Sequence, residues 1–231
     1  MDIFPSILAL DWESTATIPG SIVPSTGDIF PKIAYLLGYD LFLKVNQEQV
    51  RRERGEVPWE ESYRRSVRMF VEYGLREDQL YELLPKVVIP RPGLLEIYQF
   101  AMGRNIPLVI ITGGFSCFVT PPYSYYCDKI ISNEPVFKGG YLTDVNVKVN
   151  GNKGEHLRHI CRYYGVPIER SVAVGDGKGD NTMLKEAGFA VAVKNAHDVT
   201  KETVRTKGGR GYIMQGDNFT ELLNVLHNTE M

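Results

Sequence analysis

The sequence predicts an α/β fold: a mostly parallel sheet with helices on both faces, interrupted after its first strand by a helical insertion. Three observations predict it. Short apolar runs at Ile3 to Leu10, Pro107 to Ile111, Ser171 to Val174 and Phe189 to Val193 lead into polar or glycine-bearing loops. Helical periodicity fills the intervals from Lys153 to Tyr164 and from Asn181 to Ala187. From Asp28 to Leu84 the pattern is helical, with no strand candidate. Strands that alternate with helices imply parallel pairing, because parallel neighbours need a crossover and a helix is the usual one.

In order, Ile3 to Leu10 is the first strand, running directly into Asp11-Trp12-Glu13-Ser14-Thr15. Ala16 to Gly27 is rich in Pro, Gly, Ser and Thr and reads as a loop. Ile29, Ile33, Leu36 and Leu37 then recur at helical spacing, with Gly38 as a stop. Further helices are expected over Leu41 to Arg54, Pro58 to Tyr73 and Arg76 to Leu84. The charges at Arg51, Arg52, Glu53 and Arg54 read as a solvated face. Pro90 to Gly93 returns the chain to alternating character, with a helix over Leu94 to Met102 and the strand ending at Ile111. Thr112 to Phe115 is expected as the loop beyond it. Tyr125 to Ser132 reads as a strand, and Pro135 to Val149 as a hairpin around Gly139 and Gly140. After Phe189 to Val193, a helix over His197 to Val204, a short strand at Tyr212 to Met214 and a helix capped by Asp217 complete the chain.

Composition narrows the function. The 231 residues carry 26 basic and 28 acidic side chains, a net charge of −2 that forces no basic face, so nucleic acid is not an expected partner. Three cysteines, Cys117, Cys127 and Cys161, lack metal-ligand spacing and suit a reducing compartment. The first apolar run is broken by Asp11 and has no basic leader, so neither a membrane span nor a signal peptide is expected. A cytoplasmic protein is the expectation.

Parallel strands present their carboxyl ends on one edge of the sheet, so polar groups distant in sequence converge there. Asp11 and Glu13, Thr112 to Gly114, and Asp176 and Asp180 all occupy such ends, and Lys153 opens a helix between the last two. Taken singly, the acidic glycine-rich turn at Gly175 to Asp180 is equally an ordinary surface turn, and Asp11 to Thr15 equally a cap cluster. Taken together, paired carboxylates such as Asp11 and Asp176 suit Mg²⁺, a hard cation that prefers oxygen ligands. A threonine hydroxyl, glycine N–H groups and a lysine suit a phosphoryl group.

These segments resemble, in order, the four motifs of haloacid dehalogenase-superfamily phosphohydrolases, and in particular their phosphoserine phosphatase-like branch. The motifs are an Asp-x-Asp-x-Thr strand end (Asp11 to Thr15), a Ser/Thr before Gly-Gly (Thr112 to Gly114), a lysine (Lys153) and Gly-Asp-Gly-x-x-Asp (Gly175 to Asp180). Gly55 to Ser62 is similar to that branch's helical cap. The resemblance implies a Rossmann-like, three-layer α/β/α core of residues 1–18 and 87–231 with a cap of residues 19–86. It implies Asp11 as a nucleophile forming an aspartyl-phosphate, and Mg²⁺ held by Asp11, Asp176 and the backbone carbonyl of Glu13, with Asp180 orienting metal-bound water. Thr112 and the Gly113 N–H would grip the phosphate, and Lys153, rather than Lys138 at the hairpin tip, would neutralise it.

Two departures from the pattern bear on substrate and rate. Glu13 stands where the family carries its acid-base aspartate, and its extra methylene moves the carboxyl by about 1.5 Å, a scale that can cost about a hundredfold in rate. Gly179 replaces an asparagine of the branch's last motif. In phosphoserine phosphatases a cap glutamate and a cap arginine receive the serine ammonium and carboxylate. Here the first position falls on Asp28, which also suits a helix N-cap. The second falls on Ser66, with Arg65 beside it as a substitute. The expected function is a Mg²⁺-dependent phosphatase of a small phosphorylated metabolite, with phosphoserine one candidate substrate. The alternatives are a phosphotransferase of the same mechanism, or a phosphate- or metabolite-binding protein weakened by Glu13. The sequence sets no oligomeric state.

Overall fold

A computed structural model of the chain describes residues 5–18 and 28–228. Strand β1 (Ile7–Leu10) is buried throughout; the start of the expected run at Ile3 and Phe4, and positions 19–27 of the expected loop, lie outside the described residues. After β1 the chain makes a wide turn over Trp12–Ala16. The Ala16 N–H donates to the Asp11 carbonyl (3.3 Å) and the Thr17 N–H to the Trp12 carbonyl (3.0 Å). Bonds spanning five residues make this a single π-type turn, a form that concentrates at functional sites. Within it Ser14 takes φ 62°, a left-handed conformation that costs a non-glycine residue on the order of 1 kcal/mol.

Helices α1 (Ile29–Leu37), α2 (Tyr39–Glu53), α3 (Trp59–Tyr73) and α4 (Glu77–Val87) follow, their ends within three residues of the periodicity expected. The entering and leaving segments lie side by side: Thr17 pairs with Pro90, and the Ile18 N–H donates to the Ile89 carbonyl at 2.9 Å. Phe30 of α1 meets Tyr63 and Phe70 of α3 at ring-centroid distances of 5.4 and 5.6 Å. Across the junction with the sheet it meets Phe115 and Phe118 at 4.9 and 5.3 Å. Burying each such ring contributes roughly 1.5–3 kcal/mol, so this cluster sets how the helices sit on the sheet edge.

The remaining elements are α5 (Leu94–Gly103), β2 (Leu108–Phe115), α6 (Tyr123–Tyr126), β3 (Lys129–Lys138), β4 (Tyr141–Asn146), α7 (Lys153–Tyr163), β5 (Ser171–Gly175), α8 (Asn181–Glu186), β6 (Phe189–Ala192), α9 (Asp198–Arg205), β7 (Gly211–Ile213) and α10 (Thr220–Asn228). The strands form one sheet in the order β4-β3-β2-β1-β5-β6-β7, parallel except for the antiparallel β3–β4 hairpin. The chain therefore builds outward from β1 in opposite directions. Parallel strands built outward in both directions through right-handed crossovers put helices on both faces of such a sheet, in three layers. α10 packs on α5, and α7 on α8. The strand order reverses beside β1, which opens a crevice at the carboxyl ends of β1, β2 and β5.

Three local expectations change. Thr112 to Phe115 continues β2 instead of forming a loop. The strand expected from Tyr125 begins only at Lys129, because Tyr123–Tyr126 turns as a short helix. Asp217 does not cap the last helix; the Asn218 side chain accepts the Thr220 N–H (2.8 Å), and Asp217 faces Arg91. Among the described residues no helix is long and apolar enough to cross a membrane.

Candidate active site

Asp11 ends β1, and its N–H donates to the Val174 carbonyl of β5 (3.0 Å), which fixes it beside the loop that carries Asp176 and Asp180. Each of the three carboxylates offers an oxygen within 4.8 Å of the others. Lys153, the first residue of α7, is buried between them; its Nζ donates to Asp11 Oδ1 at 2.5 Å and to Asp180 Oδ1 at 2.6 Å. The other oxygen of Asp180 accepts the N–H groups of Asp176 and Gly177, both at 2.9 Å, so Asp180 folds the loop that presents Asp176. Thr15 completes the floor by donating its hydroxyl to Asp176 Oδ1 at 2.9 Å.

One cation among three carboxylates, Asp11 and Asp180 buried and Asp176 half-buried, leaves an excess of negative charge. Burial and then the Asp180 charge push the Asp11 carboxyl up to about 6, against the opposing pull of Lys153. Burial, Asp180 and Asp11 push Asp176 well above the ordinary carboxylate range. Burial alone would lower the Lys153 pKa, but Asp11 and Asp180 outweigh it and hold the ammonium charged. An all-oxygen donor set whose protonation is favoured by mutual repulsion suits a hard divalent cation, which would relieve the same repulsion.

Glu13 lies outside this trio but lines the same cavity. Its Oε1 accepts the N–H of Ile29, the first residue of α1, at 2.8 Å. Asp28 holds the N-cap position there but makes no capping bond; its Oδ2 instead receives Gln49 Nε2 (2.6 Å) and an Arg52 nitrogen (2.9 Å) from α2. Burial first and Asp28 second push the Glu13 carboxyl up to about 8. The two glycines of β2 make room here. A Cβ at Gly114 would lie 2.5 Å from Glu13 Oε2, and one at Gly113 would lie 2.9 Å from the Trp59 ring.

A cavity of about 380 Å³ joins these groups, bounded by Asp11, Glu13, Gly113, Lys153 and the Asp176–Asp180 loop on one side and by Asp28, Phe30, Arg52, Trp59 and Tyr63 on the other. Trp59 and Tyr63 stack at 4.7 Å and 14°, forming its aromatic wall. The helices are tied to the sheet side by Lys178 Nζ on the Glu53 carbonyl (2.8 Å) and Asn150 Nδ2 on Glu60 (3.0 Å).

Of the sequence candidates, Asp11, Glu13, Asp28, Gly113, Lys153, Asp176 and Asp180 converge on this cavity. Thr112 lies just beneath it, fully buried, its hydroxyl accepting the Gly114 N–H at 3.1 Å. Glu13 contributes no side-chain oxygen to the acidic trio. Arg65 stands apart: it pairs with Glu61 and approaches Glu48 at 3.8 Å on the outside of α3. Arg52, expected on a solvated face, is the arginine that reaches the cavity. A signal for it existed, because Leu41, Val45, Glu48 and Arg52 succeed one another on one face of α2 at helical spacing. His197, which also lines the cavity, had no such signal.

A family model for haloacid dehalogenase-like hydrolases matches residues 123–206. The phosphoserine phosphatase of Idiomarina loihiensis is 28% identical over 185 residues, covering 77% of this chain and 78% of that one. The phosphoserine phosphatase of Halobacterium salinarum is 30% identical over 148 residues, 62% of this chain and 69% of that one. The chain belongs to the haloacid dehalogenase superfamily, among its phosphoserine phosphatase-like members. The fold agrees: a solved phospho-aspartyl intermediate analogue of a phosphoserine phosphatase superposes with a TM-score of 0.79 at 24% identity, covering 96% of this chain and 98% of that one. As a haloacid dehalogenase-superfamily enzyme of this kind, the chain is a phosphoric monoester hydrolase.

Proposed function

We propose that the chain is a Mg²⁺-dependent phosphatase of a small phosphorylated metabolite that works through an aspartyl-phosphate on Asp11. The observation that carries this reading is the pairing of Asp11 with Lys153 at 2.5 Å inside an acidic trio, at the floor of a cavity of metabolite size. Asp11 and Asp176 would hold Mg²⁺ with the Glu13 backbone carbonyl, and when bound the ion supplies charge neutralisation at the phosphoryl oxygens.

The protein's own groups account for each bond change. An Asp11 oxygen attacks phosphorus, the ester P–O bond breaks, and the leaving oxygen takes the proton of Glu13. Water then attacks the same phosphorus; its proton passes to the Glu13 carboxylate, and the acyl-phosphate bond breaks to regenerate Asp11. Lys153 and the Gly113 N–H face the phosphate, while Thr112 shapes the strand end that presents Gly113. Residues 19–86 act as a cap whose helices α1 to α3 exclude water over the reacting atoms.

Phosphoserine is the substrate supported by the relatives, and Asp28 and Arg52 offer an acceptor and a donor for an amino-acid end in the same cavity. Arg65 has no place in that reading. The test is phosphate release from a panel of phosphorylated metabolites that includes phosphoserine, with and without Mg²⁺ and added alcohols. Mg²⁺-dependent release from the wild type and none from Asp11→Asn is the expected result. Phosphoryl transfer to the alcohol would make the chain a phosphotransferase, and binding without turnover would make it a binding protein.

A further inference from the structure

The wide turn after β1 carries both Glu13 and Thr15, and its shape is unfavourable on local grounds. Ser14 is held at φ 62°, and after one turn the chain straightens at Thr17, which leaves the carbonyls of Ser14, Thr15 and Ala16 without helical partners. All three are bonded to one residue. Arg91 Nε donates to the Thr15 carbonyl at 2.6 Å, a terminal guanidinium nitrogen donates to the Ser14 carbonyl at 2.8 Å, and the Arg91 backbone N–H donates to the Ala16 carbonyl at 2.8 Å. The Arg91 side chain is 1% exposed. Its remaining nitrogen faces Asp217 at 3.4 Å, and its plane lies 5.5 Å from the centre of the Phe219 ring. Arg91 does not line the cavity, so it touches no substrate there.

We propose that Arg91 is a positioning residue for the phosphatase reaction: its planar fork clamps the left-handed turn, and so aims Glu13 at the leaving group and Thr15 at Asp176. The proposal rests on the phosphatase reading above. The geometry of the fork is what matters. Two adjacent carbonyls are met by two donors fixed in one plane, an arrangement that a lysine ammonium on a flexible stem does not reproduce. Through Ser14 the clamp acts on the residue next to Glu13, and through Thr15 it acts on the hydroxyl bonded to Asp176. Asp217, bonded also by Asn195 at 3.3 Å, anchors the far end of the fork to the loop after β6.

Arg91→Lys tests the clamp while keeping the buried charge. Turnover of whichever phosphate monoester the wild type hydrolyses should fall about tenfold to a hundredfold in kcat, with KM changed less than about twofold. Amide hydrogen exchange over residues 12–17 should quicken about tenfold while β5 and β6 keep their protection. Ser14→Gly placed in the Arg91→Lys chain should recover part of the lost kcat, because glycine takes the left-handed conformation without strain. A loss caused by general destabilisation would not be recovered that way. Asp217→Asn leaves both carbonyl bonds in place and should keep kcat within about twofold of wild type. Wild-type kcat in Arg91→Lys, or a fallen kcat with unchanged exchange in the turn, would overturn the proposal. A wild-type chain that hydrolyses no phosphate monoester would overturn the function instead, and the exchange measurement would still decide whether Arg91 clamps the turn.

Discussion

Glu13 accepts the first N–H of α1 from Ile29 at 2.8 Å, taking over the capping role that Asp28 occupies in position only. The extra methylene that separates Glu13 from an aspartate is therefore used to reach the helical insertion. The carboxyl of Glu13 and the start of α1 share a bond, so each position of α1 corresponds to a position of that carboxyl.

Exchange of that residue separates reach from acidity. Glu13→Asp keeps the proton but withdraws the carboxyl by about 1.5 Å from Ile29, and kcat should fall about a hundredfold. The lost helix cap should cost about 1 kcal/mol in thermal or urea unfolding. Glu13→Gln keeps an acceptor for Ile29 and should leave stability nearly unchanged, while kcat falls by about 10² to 10⁴ because no proton is available. An aspartate variant faster than wild type would show that Glu13 is merely a displaced aspartate.

The pH profile should carry the same group. Burial and the Asp28 charge push the Glu13 carboxyl up to about 8, so it is protonated at neutral pH and able to act as an acid. As pH rises through that value the proton is lost, and kcat/KM should fall on an alkaline limb near pH 8. Asp28→Asn removes the second cause of the shift and should move the limb to lower pH, whatever it does to the height of the profile. A limb unmoved in Asp28→Asn would assign it to another group.

Among the described residues Lys153 is the cation bonded to the acidic trio, and its loss should be felt in stability as well as rate. Lys153→Met leaves the buried Asp11 and Asp180 beside the half-buried Asp176 with no cation between them, and should cost about 3–5 kcal/mol at pH 8 in metal-free buffer. The carboxylates are already pushed up in the wild type and rise further without the lysine, so protonating them relieves the repulsion; the deficit should shrink as pH falls toward 5. Mg²⁺ should also restore part of it, and at a hundredfold excess over Kd the stabilisation amounts to about 2.7 kcal/mol. Unfolding curves with and without Mg²⁺ at both pH values check this, and a deficit independent of pH would argue against charge repulsion as its cause.

Arg52 and Arg65 should behave differently although both lie on neighbouring helices. Arg52→Ala removes a guanidinium from the cavity wall and its bond to Asp28, and should raise KM for a carboxylate-bearing phosphate monoester about tenfold or more. Arg65→Ala touches only the outer pairs with Glu61 and Glu48 and should leave KM unchanged, with stability altered by less than about 0.5 kcal/mol. Equal KM effects in the two variants would remove Arg52 from substrate binding.

Much of this was legible in the chain because it is local. The four buried residues of β1 lead without interruption into Asp11, and the apolar Val172 to Val174 into Gly175 and Asp176, so strand and site residue share one short stretch. Parallel pairing then brings the strand ends together whatever the distance in sequence. The helices of the insertion were visible in their period. The inward turn of Arg52 was obscured by its three charged neighbours in the run Arg51 to Arg54, since charge density there suggests solvent while the face of the helix is set by position.

By itself the sequence determined the α/β class and the helical insertion, which follow from periodicity, and it placed Asp11, Asp176 and Asp180 after strands and Lys153 at a helix start, the four residues that the fold brings together. Only the tertiary structure decided which arginine faces the cavity, that Glu13 and not Asp28 caps α1, and that Arg91 grips the turn after Ser14. Each of these is a contact between elements 16 to 77 residues apart or a choice of helix face. Such choices are made by burial and by the pairing of buried polar groups, which no local pattern encodes.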